Sequence, residues 1–127
     1  MYIYISIYLY TISNIHIYRW FGTTLYNTIS HYIDEPGEHY VEHHDYTPDD
    51  VDKPCGPRIL TFFLYLSDVE EGGETSFPDL NIAVKPKKGR ALLWPSTLDS
   101  NPELIDTRTR HEAKPVIKGR KFAANYW

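Results

Sequence analysis

From Asp34 onward, short apolar runs alternate with Gly-, Pro- and charge-rich punctuation, and no segment sustains a long 3.6-residue period. That texture confines the chain to an all-β sandwich or barrel and excludes a helical bundle or βαβ units. EHYVEHHDY follows the Pro36-Gly37 turn and reads as a strand. RILTFFLYLSDV is apolar on both faces, as expected of a central strand covered on two sides. NIAVKP and GRALLW flank KPKKG and predict a hairpin; AKPVI and KFAANYW flank Lys118-Gly119-Arg120 and predict another. SNPELIDTRTR has room for one short helical turn. The expected architecture is two facing antiparallel sheets, a jelly roll.

A chain of 127 residues fits one domain, since two would each be too small to bury a core. The net charge of -4 is spread over interspersed acids and bases, so no basic face is present to neutralise a phosphate backbone, and nucleic acid is excluded as an expected partner. Cys55 is the only cysteine. It permits no intrachain disulfide, no thiolate zinc finger and no iron–sulfur cluster, so any metal must rest on imidazole and carboxylate. One unpaired thiol suits a reducing or an oxidising compartment equally.

Residues 1–33 differ from the rest: they are Tyr/Ile-rich, low in complexity and free of Gly and Pro before Gly22. One reading is an added edge strand or a membrane-proximal anchor; the other, which the texture favours, is a non-native extension outside the 34–127 domain. The stretch lacks formal charge before Arg19, but Ser, Thr, Asn, His and many Tyr interrupt it, so it makes a poor membrane span. It also lacks a basic n-region and a small-residue cleavage site, and no targeting signal is expected.

The chemistry lies in spacing. If EHYVEHHDY is a strand, His43 and Asp45 share one face and His44 takes the other. An imidazole and a carboxylate so placed, joined by a third imidazole from a distant strand, would hold a metal by one face of its octahedron and leave the remaining positions open. His111 is the best-placed third ligand, because it begins a strand-like segment far downstream, whereas His16, His31 and His39 sit in or beside the N-terminal stretch. A chain with six histidines can meet His-x-Asp by chance, as exposed residues of a half-buried strand. Lys121, Ala123, Asn125 and Trp127 share one parity and would face the same interior. A lysine buried there needs an anion, such as a dicarboxylate that also chelates the metal; the alternative is a solvated side chain beside a turn.

In order, EPGEHYVEHHDY, RILTFFLYLSDVEEGGETSFP, AVKPKKGRALLWPS and HEAKPVIKGRKFAANYW resemble the catalytic domain of prolyl 4-hydroxylases over residues 35–127. The resemblance implies a double-stranded β-helix, with Fe(II) on His43, Asp45 and His111 and Lys121 on the distal carboxylate of 2-oxoglutarate. It places Thr75 near the co-substrate, although a turn residue after two glycines is the simpler reading. It places Arg58 and Trp127 beside a peptide groove, where an exposed strand-edge Arg and a core Trp serve as well. It further implies hydroxylation of a proline-containing peptide with O2, release of succinate and CO2, ascorbate as reductant, and an endoplasmic-reticulum setting. The alternatives are a non-catalytic fragment that keeps the metal-binding barrel, or a same-fold oxygenase with another substrate. Nothing in the sequence indicates a partner subunit. Two departures stand out: Asp34 occupies the place of a Tyr that touches 2-oxoglutarate in the family, with Tyr32 two residues away, and TISNIHIYRWFGTTLYNTIS does not match the family's N-terminal helices.

Overall fold

The apolar runs pair as antiparallel strands whose alternate side chains meet in one interior. The computed structural model describes the backbone of residues 10–12, 15–19 and 30–34 and the whole of residues 35–54 and 56–127. Cys55, and residues 1–9, 13–14 and 20–29 of the Tyr/Ile-rich stretch, lie outside the described residues. The first strands are β1 (Tyr10–Ile12), β2 (Ile15–Arg19), β3 (Ser30–Asp34), β4 (Tyr40–His43) and β5 (Leu60–Tyr65). Next come β6 (Glu71–Gly72), β7 (Thr75–Phe77), β8 (Ile82–Val84), β9 (Arg90–Pro95) and β10 (Thr97–Leu98). The last are β11 (Asn101–Ile105), β12 (His111–Ala113), β13 (Val116–Lys118) and β14 (Lys121–Tyr126).

A major six-stranded sheet has the order β1-β2-β9-β5-β14-β3, and a minor four-stranded sheet the order β4-β12-β7-β8. Two short ladders, β10-β11 and β6-β13, complete the jelly roll. β5 lies between β9 and β14. The central position expected of RILTFFLYLSDV is thus its actual one, with Leu64 and Tyr65 buried although they point to opposite faces. Three strands of the major sheet come from residues 10–34, with β2 on β9 and β3 on β14. The expected helical turn in SNPELIDTRTR is a 3-10 turn at Thr107–Thr109, preceded by β11.

Neither expected hairpin forms. β8 pairs with β7 in the minor sheet, whereas β9 pairs with β2 and β5 in the major one. KPKKG therefore carries the chain between sheets; the turn is held by Arg90 N–H on the Lys87 carbonyl and anchored by Gly89 N–H on the Tyr65 carbonyl. Likewise β13 pairs with β6 and β14 with β3 and β5, so Lys118-Gly119-Arg120 is also a crossing. Turn chemistry tells the chain to bend, but the partner it meets afterwards is decided by packing. At the β6-β13 ladder Gly72 has a φ of +79°, and a Cβ there would lie 2.3 Å from the Pro115 carbonyl oxygen, so glycine is required by both torsion and space.

Tyr65, Phe77, Val84, Leu92 and Trp94 form the core between the sheets, with Phe63, Leu80 and Ile82 packed against it. Phe77 meets Trp94 edge-on at 5.2 Å between ring centroids, and Trp94 in turn meets the His111 ring at 4.7 Å. The core thus forms one wall of whatever His111 does. Phe77→Ala is expected to cost about 3–5 kcal/mol, read as a lower urea midpoint at unchanged slope, because the ring is fully buried and its removal leaves a cavity. An unchanged midpoint would show that this wall does not support the fold.

Candidate metal centre

The antiparallel register of β4 and β12 places His43 opposite His111, with ring centroids 4.3 Å apart. The same ladder pairs Ala113 with Tyr40, so β4 carries one extra residue between the two contacts, a bulge. β4 ends at His43, and Asp45 lies in the bend beyond it rather than within the strand. Strict alternation therefore does not extend to position 45. His44, expected on the far face, also lines the cavity, and its Nδ1 is buried without a partner among the described residues.

Among the described residues, His43, Asp45 and His111 each offer one donor atom within 4.8 Å of the others. Each Nδ1 is committed to the backbone, His43 to the Val41 carbonyl at 2.9 Å and His111 to the Thr109 carbonyl at 3.0 Å. A neutral imidazole that donates from Nδ1 presents an Nε2 lone pair, which is the form a metal ligand needs. Both Nε2 atoms lie 3.6 Å from a different Asp45 oxygen, too far for hydrogen bonds and suited to donors around one shared ion. The buried Thr61 hydroxyl donates to Asp45 Oδ2 at 2.6 Å and fixes the carboxylate plane. Two imidazoles and one carboxylate converging at the cavity wall are a donor set that fits non-haem Fe(II).

The three groups have distinct acidities. Burial alone would raise the Asp45 carboxyl, but the neighbouring His43 and His111 and the Thr61 hydroxyl hold it below the usual carboxylate range. Burial pushes His111 below the ordinary imidazole value and outweighs the pull of Asp45. Burial also opposes charge on His43, yet Asp45 and the Val41 carbonyl prevail, and its pKa is raised. His44 is lowered, by burial and then by the charge of Arg110, which itself pairs with Asp79 and Glu42.

The candidate ligand and groove residues of the sequence line one cavity of about 560 Å³: His43, Asp45, His111, Thr75, Arg58, Lys121 and Trp127, with Ala123 and Asn125. Lys121 is 2% exposed, which removes the solvated reading. Its stem passes Gly73, where a Cβ would come within 3.4 Å of Cδ, and its Nζ lies 5.9 Å from the Phe63 ring centre. Thr75 is buried at the start of β7 rather than exposed in a turn. The Arg58 guanidinium stacks 4.0 Å above the Trp127 ring. The side chains of Tyr32 and Asp34 lie outside the described residues; their backbones pair with Ala123 and Lys121. Sequence reasoning missed Thr61 and Tyr65, which with Phe63 form the inward row of β5. The available signal was two hydroxyls at even spacing in an otherwise apolar strand.

The model of the 2OG-Fe(II) oxygenase superfamily matches residues 27–127. The chain belongs to that superfamily. It is 44% identical over 94 residues to prolyl 4-hydroxylase subunit alpha-2 of Gallus gallus, covering 72% of this chain and 17% of that protein. It is 38% identical over 96 residues to prolyl 4-hydroxylase subunit alpha-1 of Homo sapiens, covering 72% of this chain and 18% of that protein. The chain thus spans less than a fifth of these two relatives. Among solved structures it resembles the viral collagen prolyl hydroxylase of Paramecium Bursaria Chlorella virus-1 in complex with 2OG, with a TM-score of 0.64 and 33% identity over 80% of this chain and 60% of that one. A superfamily defined by Fe(II) and 2-oxoglutarate agrees with the donor set derived above.

Thr61→Val keeps the side-chain shape, removes the bond to Asp45, and is expected to weaken Fe(II) binding by about 10–100-fold with the fold retained. Equal Fe(II) affinity in the two proteins would show that Asp45 needs no support. Protons compete with the metal for imidazole, so Fe(II) affinity is expected to fall on acidification by about tenfold per pH unit for each proton displaced. With its raised pKa, His43 takes up its proton first as pH falls, and the lowered His111 follows. Anaerobic titrations over the imidazole range check this; an affinity independent of pH there would exclude imidazole ligands.

Proposed function

We propose that this chain carries the catalytic core of a prolyl 4-hydroxylase, which uses Fe(II), 2-oxoglutarate and O2 to hydroxylate a peptidyl proline and releases succinate and CO2. The observation that carries the reading is the shared cavity, with the His43, Asp45 and His111 donors and the buried Lys121 in its lining. The prolyl 4-hydroxylase relatives and the viral collagen prolyl hydroxylase support the choice of substrate.

In this reading His43, Asp45 and His111 hold the iron, which when bound supplies a chelation site for a 2-oxo acid and the redox chemistry of O2. Lys121 takes the distal carboxylate of 2-oxoglutarate as a charge-assisted partner, and Thr75 adds a hydroxyl beside it. Trp94 and Phe63 form the apolar part of the wall and limit water around the reacting atoms. Arg58 and Trp127, stacked and both lining the cavity, hold the peptide so that the target carbon faces the metal. Ascorbate is the reductant expected to restore iron oxidised without product.

Full-length chain loaded with Fe(II) and given a proline-rich peptide is expected to form succinate and hydroxyproline in equal amounts. Lys121→Ala is expected to raise the 2-oxoglutarate concentration needed by about 10–100-fold, because a charge-assisted bond to a buried group is lost. A folded, iron-loaded protein that yields no succinate would overturn the assignment and leave a non-catalytic barrel. Succinate without hydroxyproline on any proline-rich peptide would redirect it to another substrate.

A further inference from the structure

We propose that Arg110 is a positioning residue for the metal centre: its guanidinium, anchored on Asp79, holds Glu42 outside the cavity and so keeps the bulged edge strand β4 in the register that turns His43 inward. This inference rests on the metal reading above and concerns three residues that neither bind the metal nor line the cavity.

β4 is weakly held by its own packing. It is an edge strand of the minor sheet with β12 as its sheet neighbour, and Tyr40 and Val41 are 56% and 67% exposed. Little apolar burial opposes its displacement. Its register on β12 is also open to error. His43 faces His111 and Tyr40 faces Ala113, so Val41 and Glu42 share the single opposing residue Glu112. A bulge re-aims side chains, and a shift of one residue turns each of them to the other face. His43 depends on that register twice, for its place opposite His111 and for the Val41 carbonyl that accepts from its Nδ1.

The Arg110 guanidinium meets this need from the residue before β12. Nε and Nη2 donate to the two Asp79 oxygens at 3.1 and 3.0 Å, a bidentate fork onto the 3-10 turn Pro78–Leu80. Nη1 lies 3.2 Å from Glu42 Oε2. Lys114, the other cation that attracts the Glu42 carboxylate, is paired with Glu112. A lone exposed ion pair contributes little, because ordering two long side chains offsets the attraction. Here the fork has already ordered the guanidinium, so the contact to Glu42 orders one side chain rather than two. One planar group thus ties the neighbour of His43 to the neighbour of His111, and both to the turn that follows Phe77, whose ring packs on His111.

The test is anaerobic Fe(II) titration of the full chain and of Arg110→Gln, Glu42→Gln, the double variant and Arg110→Lys. Each is also measured for thermal midpoint without metal and for the visible absorption of its Co(II) form, whose bands report donor geometry. Arg110→Gln is expected to weaken Fe(II) binding by about three- to tenfold and Glu42→Gln by about two- to fivefold, with shifted Co(II) bands in both. The double variant should bind no more weakly than Arg110→Gln, because the two residues act through one contact. Arg110→Lys keeps the charge but loses the fork, and is expected to bind as weakly as Arg110→Gln. Unchanged Fe(II) affinity and Co(II) bands in Arg110→Gln, even with a lowered midpoint, would overturn the inference and leave the metal reading standing. Additive losses in the double variant, or full recovery in Arg110→Lys, would also overturn it. An intact chain that takes up no Fe(II) would overturn both. Should Arg110→Gln not fold, Glu42→Gln leaves the Arg110–Asp79 fork in place, and Fe(II) affinity equal to that of the intact chain would then decide against the inference.

Discussion

The pairing of His43 with His111 across β4 and β12 is the constraint on which the site depends. Two residues far apart in sequence become neighbours because a ladder fixes their register, and a slip by one position would turn one ring to the opposite face of the sheet. β12 is held on its other edge by β7, with Ala113 opposite Thr75. A single three-residue strand therefore sets both the second imidazole and the hydroxyl assigned to the co-substrate. The bulge in β4 adjusts the match between two twisted strands without giving up either contact.

That geometry is held against desolvation. Asp45, His111 and Lys121 are all nearly inaccessible, where an unsupported charge is strongly disfavoured. Part of the support comes through the fold, from Thr61 to Asp45, and part from two residues back along the chain, from the Val41 and Thr109 carbonyls to the two imidazoles. Thr109 is itself placed by the 3-10 turn, whose Asp106 accepts from the Arg108 backbone N–H and pairs with its guanidinium. The short polar segment before β12 thus aims a ring that the core residues Phe77 and Trp94 then pack against.

The jelly roll, the convergence of His43, Asp45 and His111 and the inward parity of β14 were legible because each follows from local rules: turn residues between apolar runs, His-x-Asp, and a lysine at even spacing from Trp127. The two hairpins were misread because Lys85–Gly89 and Lys118–Arg120 carry hairpin chemistry, whereas the sheet that each following strand joins depends on long-range packing. His44 was placed on the wrong side because the strand stops at His43, and alternation ends with it. Thr61 and Tyr65 were hidden by their surroundings. In LTFFLY a hydroxyl group reads as tolerated strand chemistry, and its partner only appears once β5 faces the minor sheet. The Tyr/Ile-rich stretch has the propensity of its strands β1, β2 and β3 but lacks turn signals to delimit them.

Seen from the two sheets, the proposed ligands join parts of the fold that the backbone ladders leave separate. The minor sheet and the bend after it contribute His43, Asp45, His111 and Thr75; the major sheet contributes Lys121, along with Thr61 and Tyr65 beneath it. A molecule that chelates the metal at one end and meets Lys121 at the other bridges the sandwich, and its binding energy adds directly to the stability of the folded state. The side-chain bonds Thr61–Asp45 and Tyr65–Thr75 already run across that gap and hold the sheets at a spacing the bridge can use. The contacts of β5 that tie the two halves of the sandwich together are therefore the ones that border the proposed co-substrate site. The supporting hydroxyls lie on a central strand of the major sheet, between β9 and β14, rather than in a loop.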